Sequence, residues 1–340
     1  MTPCVNLAFD GSSSADYEPD KRRQFKRRER LHLRLGVPVK HFALTATLLA
    51  GLAFSPAAFA QEQTITHAQG ETVITGVPAK VLVSDWAAFD NLTALGVTVA
   101  GVPSSNAPSY LADSIPGDAI KIGSLQEPDY ETIAASESDL YIVAARSRTA
   151  YPTAKDILPT VDLSIDNGAL VEGVKGNIAK LGEIFGKQDA AAELIGNLDA
   201  KIAEVKAAAE GKGTALVLVT NAGNVGVYGP DSRVAWIYNE IGMPSAMADV
   251  EDGDHGGDTV SFEFILDVNP DWMFVVDRDA GVGENACSAS ALLDNELVNQ
   301  TTAAKEGHIV YLDPQAAYIT MHGYEGLMLL LDQVLEGVTA

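Results

Sequence analysis

Beyond residue 60 the chain alternates short apolar, β-rich runs with longer stretches in which apolar side chains return at helical spacing. Residues 80–84, 97–102, 140–144 and 161–164 read as strands in the first half, and 215–220, 225–228, 272–276 and 308–312 in the second. Such alternation predicts α/β architecture with largely parallel sheets. Between the halves, 171–186 and 189–210 are rich in Ala, Leu, Glu and Lys, and Ala192, Ile195, Leu198, Ile202 and Val205 recur on one helical face. Gly186-Lys187-Gln188 separates these stretches and Gly211-Lys212-Gly213 ends the second. The predicted organisation is an N-terminal lobe over 61–168, connecting helices over 169–211, and a C-terminal lobe with a final helix over 212–340. The fold expected is two Rossmann-like lobes joined by a long rigid α-helix, with a ligand cleft between them.

An internal repeat supports two lobes. Residues 131–143 align without gaps to 263–275, so that Glu131, Ile133, Asp139 and Val143 correspond to Glu263, Ile265, Asp271 and Val275. Each block reads as a helix leading into a buried strand. Three residues beyond each valine stands an arginine, Arg146 and Arg278. Ligands of open α/β sheets bind beyond the carboxyl ends of the strands, so facing lobes would point both arginines into one cleft.

The first sixty residues have a different character. Nine Lys and Arg between positions 21 and 40 precede an apolar run over 43–54 and then Ala58-Phe59-Ala60. This order is that of a secretory signal peptide with cleavage after Ala60. Its apolar run of 12 residues falls short of the ~20 that span a bilayer. No Met occurs between Met1 and Met243, and a start at a non-Met codon near Val37 or Val39 would leave 1–36 untranslated. Arg22-Arg23-Gln24-Phe25-Lys26 resembles a twin-arginine signal but lies far from the apolar run. The expected location is therefore the periplasm.

The chain carries 23 Lys+Arg against 46 Asp+Glu, a net charge of −23. Loss of residues 1–60 would leave 14 against 41, or −27. So acidic a chain has no broad basic face for a phosphate backbone, which argues against nucleic acid. Two cysteines, Cys4 and Cys287, cannot build a disulfide framework or a Cys-rich zinc site. Any metal chemistry must use oxygen and nitrogen ligands. No Gly-x-Ser-x-Gly, Walker loop or His-Glu-x-x-His is present, and Gly223-Asn-Val-Gly226 lacks the full dinucleotide fingerprint, so an enzyme is not expected.

From about Val73 to the C-terminus the chain resembles the periplasmic substrate-binding proteins of ABC importers for iron–siderophore complexes, in their catecholate, enterobactin-type branch. The resemblance is carried by Val81-Leu-Val-Ser-Asp-Trp-Ala-Ala-Phe-Asp-Asn-Leu-Thr-Ala-Leu-Gly96, Pro128-Asp-Tyr-Glu-Thr-Ile133, Asn269-Pro-Asp-Trp-Met-Phe-Val-Val-Asp-Arg278, Leu292-Leu-Asp-Asn-Glu-Leu297 and Ile309-Val-Tyr-Leu-Asp-Pro314. It implies a monomeric receptor with no permanently bound cofactor, which carries a ferric catecholate siderophore to an inner-membrane ABC permease. It also implies a cleft holding Arg146, Arg233 and Arg278, with His255 and Tyr318 as the iron-binding pair, and a permease contact made by Glu131 and Glu263. The loop after His255, Gly256-Gly257-Asp258, and the pair Ala316-Ala317 depart from the family pattern.

The residue types suit that cargo. Ferric iron is a hard ion for which phenolate oxygen is a good ligand and imidazole an acceptable one. A bis-catecholate supplies four oxygens and leaves two octahedral positions for His255 and Tyr318. The complex is anionic, and guanidiniums can donate paired hydrogen bonds to its oxygens while offsetting its charge. Other chelates stay open as alternatives: haem, cobalamin or a hydroxamate siderophore. A calcium site is a further alternative, because Asp252, Asp254, Gly257 and Glu263 fall at positions 1, 3, 6 and 12 of an EF-hand-like loop, although Gly256 occupies position 5.

Overall fold

The computed structural model describes residues 62–247, 258–284 and 287–340. It opens with an antiparallel hairpin of β1 (Glu62–His67) and β2 (Gly70–Thr75). The apolar pattern gives no element here, because most hairpin side chains face water and only Ile65, His67 and Ile74 are buried.

In the first lobe, β3 (Val81–Val83), β4 (Gly101–Val102), β5 (Ile120–Lys121), β6 (Leu140–Val143) and β7 (Thr160–Asp162) form an all-parallel sheet in the order β5-β4-β3-β6-β7. Helices α1 (Trp86–Ala94), α2 (Tyr130–Ala135) and α3 (Tyr151–Ala154) lie between its strands. The strand order reverses between β3 and β6. Chain segments leaving their carboxyl ends diverge to opposite faces there and open a crevice, the usual ligand position in such sheets.

Two helices, α4 (Leu170–Ile184) and α5 (Gln188–Ala209), connect the lobes. The connection is thus a helical pair rather than one rod. Gly186 ends α4 in the left-handed region at φ 64, and the Lys187 N–H closes the turn on the Gly182 carbonyl at 2.7 Å. The 22 residues of α5 span roughly 33 Å.

In the second lobe, β8 (Ala215–Asn221), β9 (Asn224–Tyr228), β10 (Asp258–Val260), β11 (Trp272–Asp277) and β12 (Ile309–Tyr311) are ordered β10-β9-β8-β11-β12. The β8–β11 and β11–β12 pairings are parallel, whereas β9 pairs antiparallel with both β8 and β10. The β8–β9 link is the two-residue turn Ala222-Gly223, with φ of 50 and 78, and both signs suit the tight turn of a hairpin. Gly223 therefore serves strand reversal, and β9 and β10 depart from a Rossmann sheet. Helices α6 (Trp236–Asn239), α7 (Phe262–Val268), α8 (Arg278–Val282), α9 (Ala289–Leu293), α10 (Thr302–Glu306) and α11 (Tyr324–Thr339) complete this lobe.

The internal repeat has a structural counterpart. Asp139 Oδ2 accepts from the Ala79 and Lys80 N–H groups at 2.9 and 2.8 Å, just before β3. Asp271 Oδ2 accepts from the N–H and hydroxyl of Thr214 at 2.7 and 2.9 Å, just before β8. Each repeated aspartate thus ties the strand it precedes to the start of the neighbouring parallel strand.

One apolar core runs through both lobes. Val81, Trp86 and Phe89 of the first, Leu181 and Leu198 of the connection, and Val217, Phe274, Leu327 and Leu331 of the second belong to one contiguous buried cluster. Each such side chain contributes roughly 1.5–3 kcal/mol on burial. Smaller clusters lie on the outer face of each sheet, around Leu82 and Tyr141 in one lobe and Leu218 and Met273 in the other.

Candidate functional site

Each lobe delivers its arginine from the carboxyl end of a strand. Arg146 follows β6 by way of Ala145, a non-glycine residue at φ 45, which turns the chain sharply into the crevice. Left-handed backbone at a residue with a Cβ costs of order 1–3 kcal/mol and persists only where its surroundings fix it. They do so here: the Ala145 N–H donates to Ser164 Oγ at 2.9 Å, and that hydroxyl donates to Asp162 Oδ1 at 2.6 Å. Arg278 opens α8 directly after β11, where Asp277 Oδ1 accepts the Ala280 N–H at 3.0 Å as a helix cap. Arg233 follows the turn at Gly229, whose carbonyl accepts from the Ser232 N–H and hydroxyl at 3.2 and 2.7 Å.

The three guanidiniums meet at one side chain. Their central carbons lie 5.0 Å (Arg146), 4.9 Å (Arg233) and 5.6 Å (Arg278) from the centroid of the Tyr318 ring. Tyr318 sits in a buried π-helical turn, Ala316–Thr320. Such widened turns are frequent at functional sites. Gly281 in α8 allows this turn to approach, since a methyl group there would fall 2.5 Å from the Pro314 carbonyl oxygen and 3.1 Å from Tyr318 Cβ.

A cavity of about 600 Å³ opens beside this cluster, lined by all three arginines, Tyr318, Asp85 and His322 among others. Among the described residues, only Arg278 of the three forms ion pairs, with Asp279 at 3.1 Å and Glu284 at 3.7 Å. Burial, then the charge of Arg233, lowers the pKa of Arg146. Burial also acts to lower that of Arg278, but Tyr318 and Asp279 outweigh it and the net direction is up. Asp85 caps α1 through the Ala88 N–H at 2.9 Å, and burial pushes its carboxyl up to about 6. Half-buried cations that converge with few anions to neutralise them form a site for an anion, which three planar donor forks can grip through several oxygens.

The structure thus brings together Arg146, Arg233, Arg278 and Tyr318. His255 lies outside the described residues, as do Asp252, Asp254 and Gly257. Glu131 and Glu263 are far from the arginines in role: both are exposed second residues of their helices, α2 and α7, behind the caps Asp129 and Ser261. The cavity also contains residues that the sequence reading passes over, notably Asp85, Arg148 and His322. Asp85 has a readable signal, a strand-ending Ser-Asp ahead of a helix. His322 has none, because interlobe packing puts it there.

The model of the periplasmic binding protein family matches residues 81–316. The chain belongs to that family. This binding protein is 34% identical over 264 residues to the petrobactin-binding protein YclQ of Bacillus subtilis, covering 77% of this chain and 83% of YclQ. Against the ferric-anguibactin-binding protein FatB of Vibrio anguillarum, identity is 32% over 280 residues, covering 80% and 86%. The crystal structure of YclQ superposes with a TM-score of 0.78 over 82% of this chain and 99% of that one. The periplasmic catecholate-siderophore binding protein VctP of Vibrio cholerae gives 0.75 with the same coverage at 29% identity. The two-lobed α/β architecture of this binding protein is therefore that of its family.

Proposed function

We propose that this protein is an exported receptor that captures a ferric catecholate siderophore between its lobes and delivers it to an inner-membrane ABC permease. The observation that carries this reading is the convergence of Arg146, Arg233 and Arg278 on the Tyr318 ring beside the cavity. Such an arrangement offers charge and hydrogen-bond donors to the oxygens of an anionic chelate and one phenol to its metal. Support also comes from relatives whose names give petrobactin and ferric anguibactin as their ligands.

In this reading the chelate enters with its catecholate oxygens toward the guanidiniums, which orient it and offset its charge. A tetradentate chelate leaves two positions on iron, filled by Tyr318 as phenolate and by His255. A hexadentate chelate leaves none, and the pair then only lines the site. Coordination by phenolate releases a proton, so affinity for the tetradentate complex falls with acidity. Glu131 and Glu263, one on each lobe, are the contacts to permease arginines. Export proceeds by the segment 1–60 with cleavage after Ala60, and the lobes divide at 61–168, 169–211 and 212–340.

A titration of intrinsic fluorescence with mono-, bis- and tris-catecholate ferric complexes, alongside haem, cobalamin and a ferric hydroxamate, tests the proposal. Quenching by catecholate complexes with a broad catecholate-to-iron absorption band is the expected result. A Soret or corrin spectrum in the protein as purified, or tighter binding of the hydroxamate, would reject it.

A further inference from the structure

Where α1 of the first lobe meets the start of α11 in the second, the cavity wall includes Asn91 and His322. Asn91 stitches this seam: its Nδ2 donates to the His322 carbonyl at 3.2 Å, and its Oδ1 accepts the Tyr324 N–H at 2.9 Å. The turn is closed further by the Gly323 N–H on the Thr320 carbonyl at 2.8 Å. His322 is thus held by its backbone on both sides, while its side chain has a different status. The Nε2 atom is removed from solvent and has no hydrogen-bond partner among the described residues.

Buried polar atoms are nearly always paired in folded proteins, and one left unpaired beside a cavity points to a partner that arrives with a ligand. Burial and the charges of Arg233 and Arg146 keep the imidazole neutral, its pKa pushed down to about 3. A neutral ring offers one N–H donor and one lone pair. Iron-bound catecholate or carboxylate oxygens carry no hydrogen, so they need the donor.

Resting on the function proposed above, we propose that His322 is a fourth ligand-contacting group, whose Nε2–H donates to an oxygen of the anionic ferric chelate and selects for chelates that place an oxygen against this seam. The three arginines attract any anion of suitable size. The imidazole adds a demand for an acceptor at one point, and an unmet demand is what gives a buried polar group its discriminating power.

The test compares the unaltered protein with His322→Leu and His322→Gln, using ferric bis-catecholate and tris-catecholate complexes as probes. Affinity is read by fluorescence quenching, and stability of the ligand-free protein by thermal unfolding. His322→Leu should bind its best complex roughly tenfold or more weakly, with ligand-free Tm unchanged or raised, because an unpaired buried group has been removed. His322→Gln, which keeps an N–H donor, should recover most of the affinity. Wild-type affinity in His322→Leu, or parallel losses of Tm and affinity in both variants, would overturn this assignment alone. Absence of quenching by either complex in the unaltered protein would overturn the proposed function and this assignment with it.

Discussion

Arg146 holds Tyr318 twice, donating from Nη2 to its backbone carbonyl at 2.8 Å while the guanidinium lies over its ring at 5.0 Å from the centroid. The two residues are 172 positions apart and belong to different lobes. One side chain thus joins the lobes and faces the cavity, and replacing it should act on both. Arg146→Gln should weaken binding of an anionic ferric complex by roughly 1.5–3 kcal/mol, the range for a hydrogen bond to a charged group. Titration of Arg146→Gln, Arg233→Gln and Arg278→Gln checks this; unchanged affinity in all three folded variants would remove the cluster from the site.

Tyr318→Phe separates metal coordination from packing, because the ring and its place among the guanidiniums remain. Binding of a bis-catecholate complex should weaken strongly and its visible band should move, whereas a tris-catecholate complex should respond little. The pH dependence sharpens the test. Proton release makes affinity rise with pH by up to about tenfold per unit for one proton, and the variant should lose that component of the slope. An unmoved band with equal affinity would exclude Tyr318 from the iron.

Stability should carry a titration of its own. Asp90 is buried between the lobes, accepting from the Glu325 and Gly326 N–H groups, both at 2.9 Å, and from the Tyr110 hydroxyl at 2.8 Å. Burial pushes its carboxyl up to about 7 despite these donors. A carboxyl raised on folding binds its proton more tightly in the native state. Its contribution is complete below pH ~4 and declines as pH rises toward 7, by at most about 1.4 kcal/mol per unit. Denaturant unfolding between pH 4 and 8 should show this decline, and Asp90→Asn should flatten it; an identical profile in the variant would show that Asp90 does not titrate there.

The paired glutamates make a prediction that leaves the cavity untouched. Glu131 and Glu263 are exposed on equivalent helical turns. Replacing both by Ala should abolish iron–siderophore uptake in cells while the purified protein keeps its affinity. A loss of affinity in solution would place them in the binding function instead.

How much of this was readable depended on distance along the chain. The helical face drawn through α5 is buried at Leu198 and Val205, partly buried at Ile195 and Ile202, and exposed at Ala192, where neighbouring Ala191 turns inward instead. Local periodicity predicts such an element well. Strand 97–102 shortens to Gly101–Val102, because extended apolar residues need a neighbouring strand, and only two of these six find one. Arg146 and Arg278 were visible through the repeat, and Arg233 and Tyr318 through family resemblance. Asp90 and His322 are not, since they are held in place by partners more than 230 residues away, Glu325 and Asn91 respectively. A single sequence carries no local trace of such a contact.

The shared apolar core bears on how far the two lobes can part. Because Trp86 and Phe89 pack in the same cluster as Leu327 and Leu331, wide separation of the lobes would expose to water the surface that folds them. Cargo therefore enters a frame whose opening is bounded by its own cooperativity. The free and loaded states can differ only modestly in the spacing of their two outer faces. In the proposed role, a permease that tells one from the other has to sense small displacements, or the cargo's own surface at the mouth of the cleft, rather than a large closing movement.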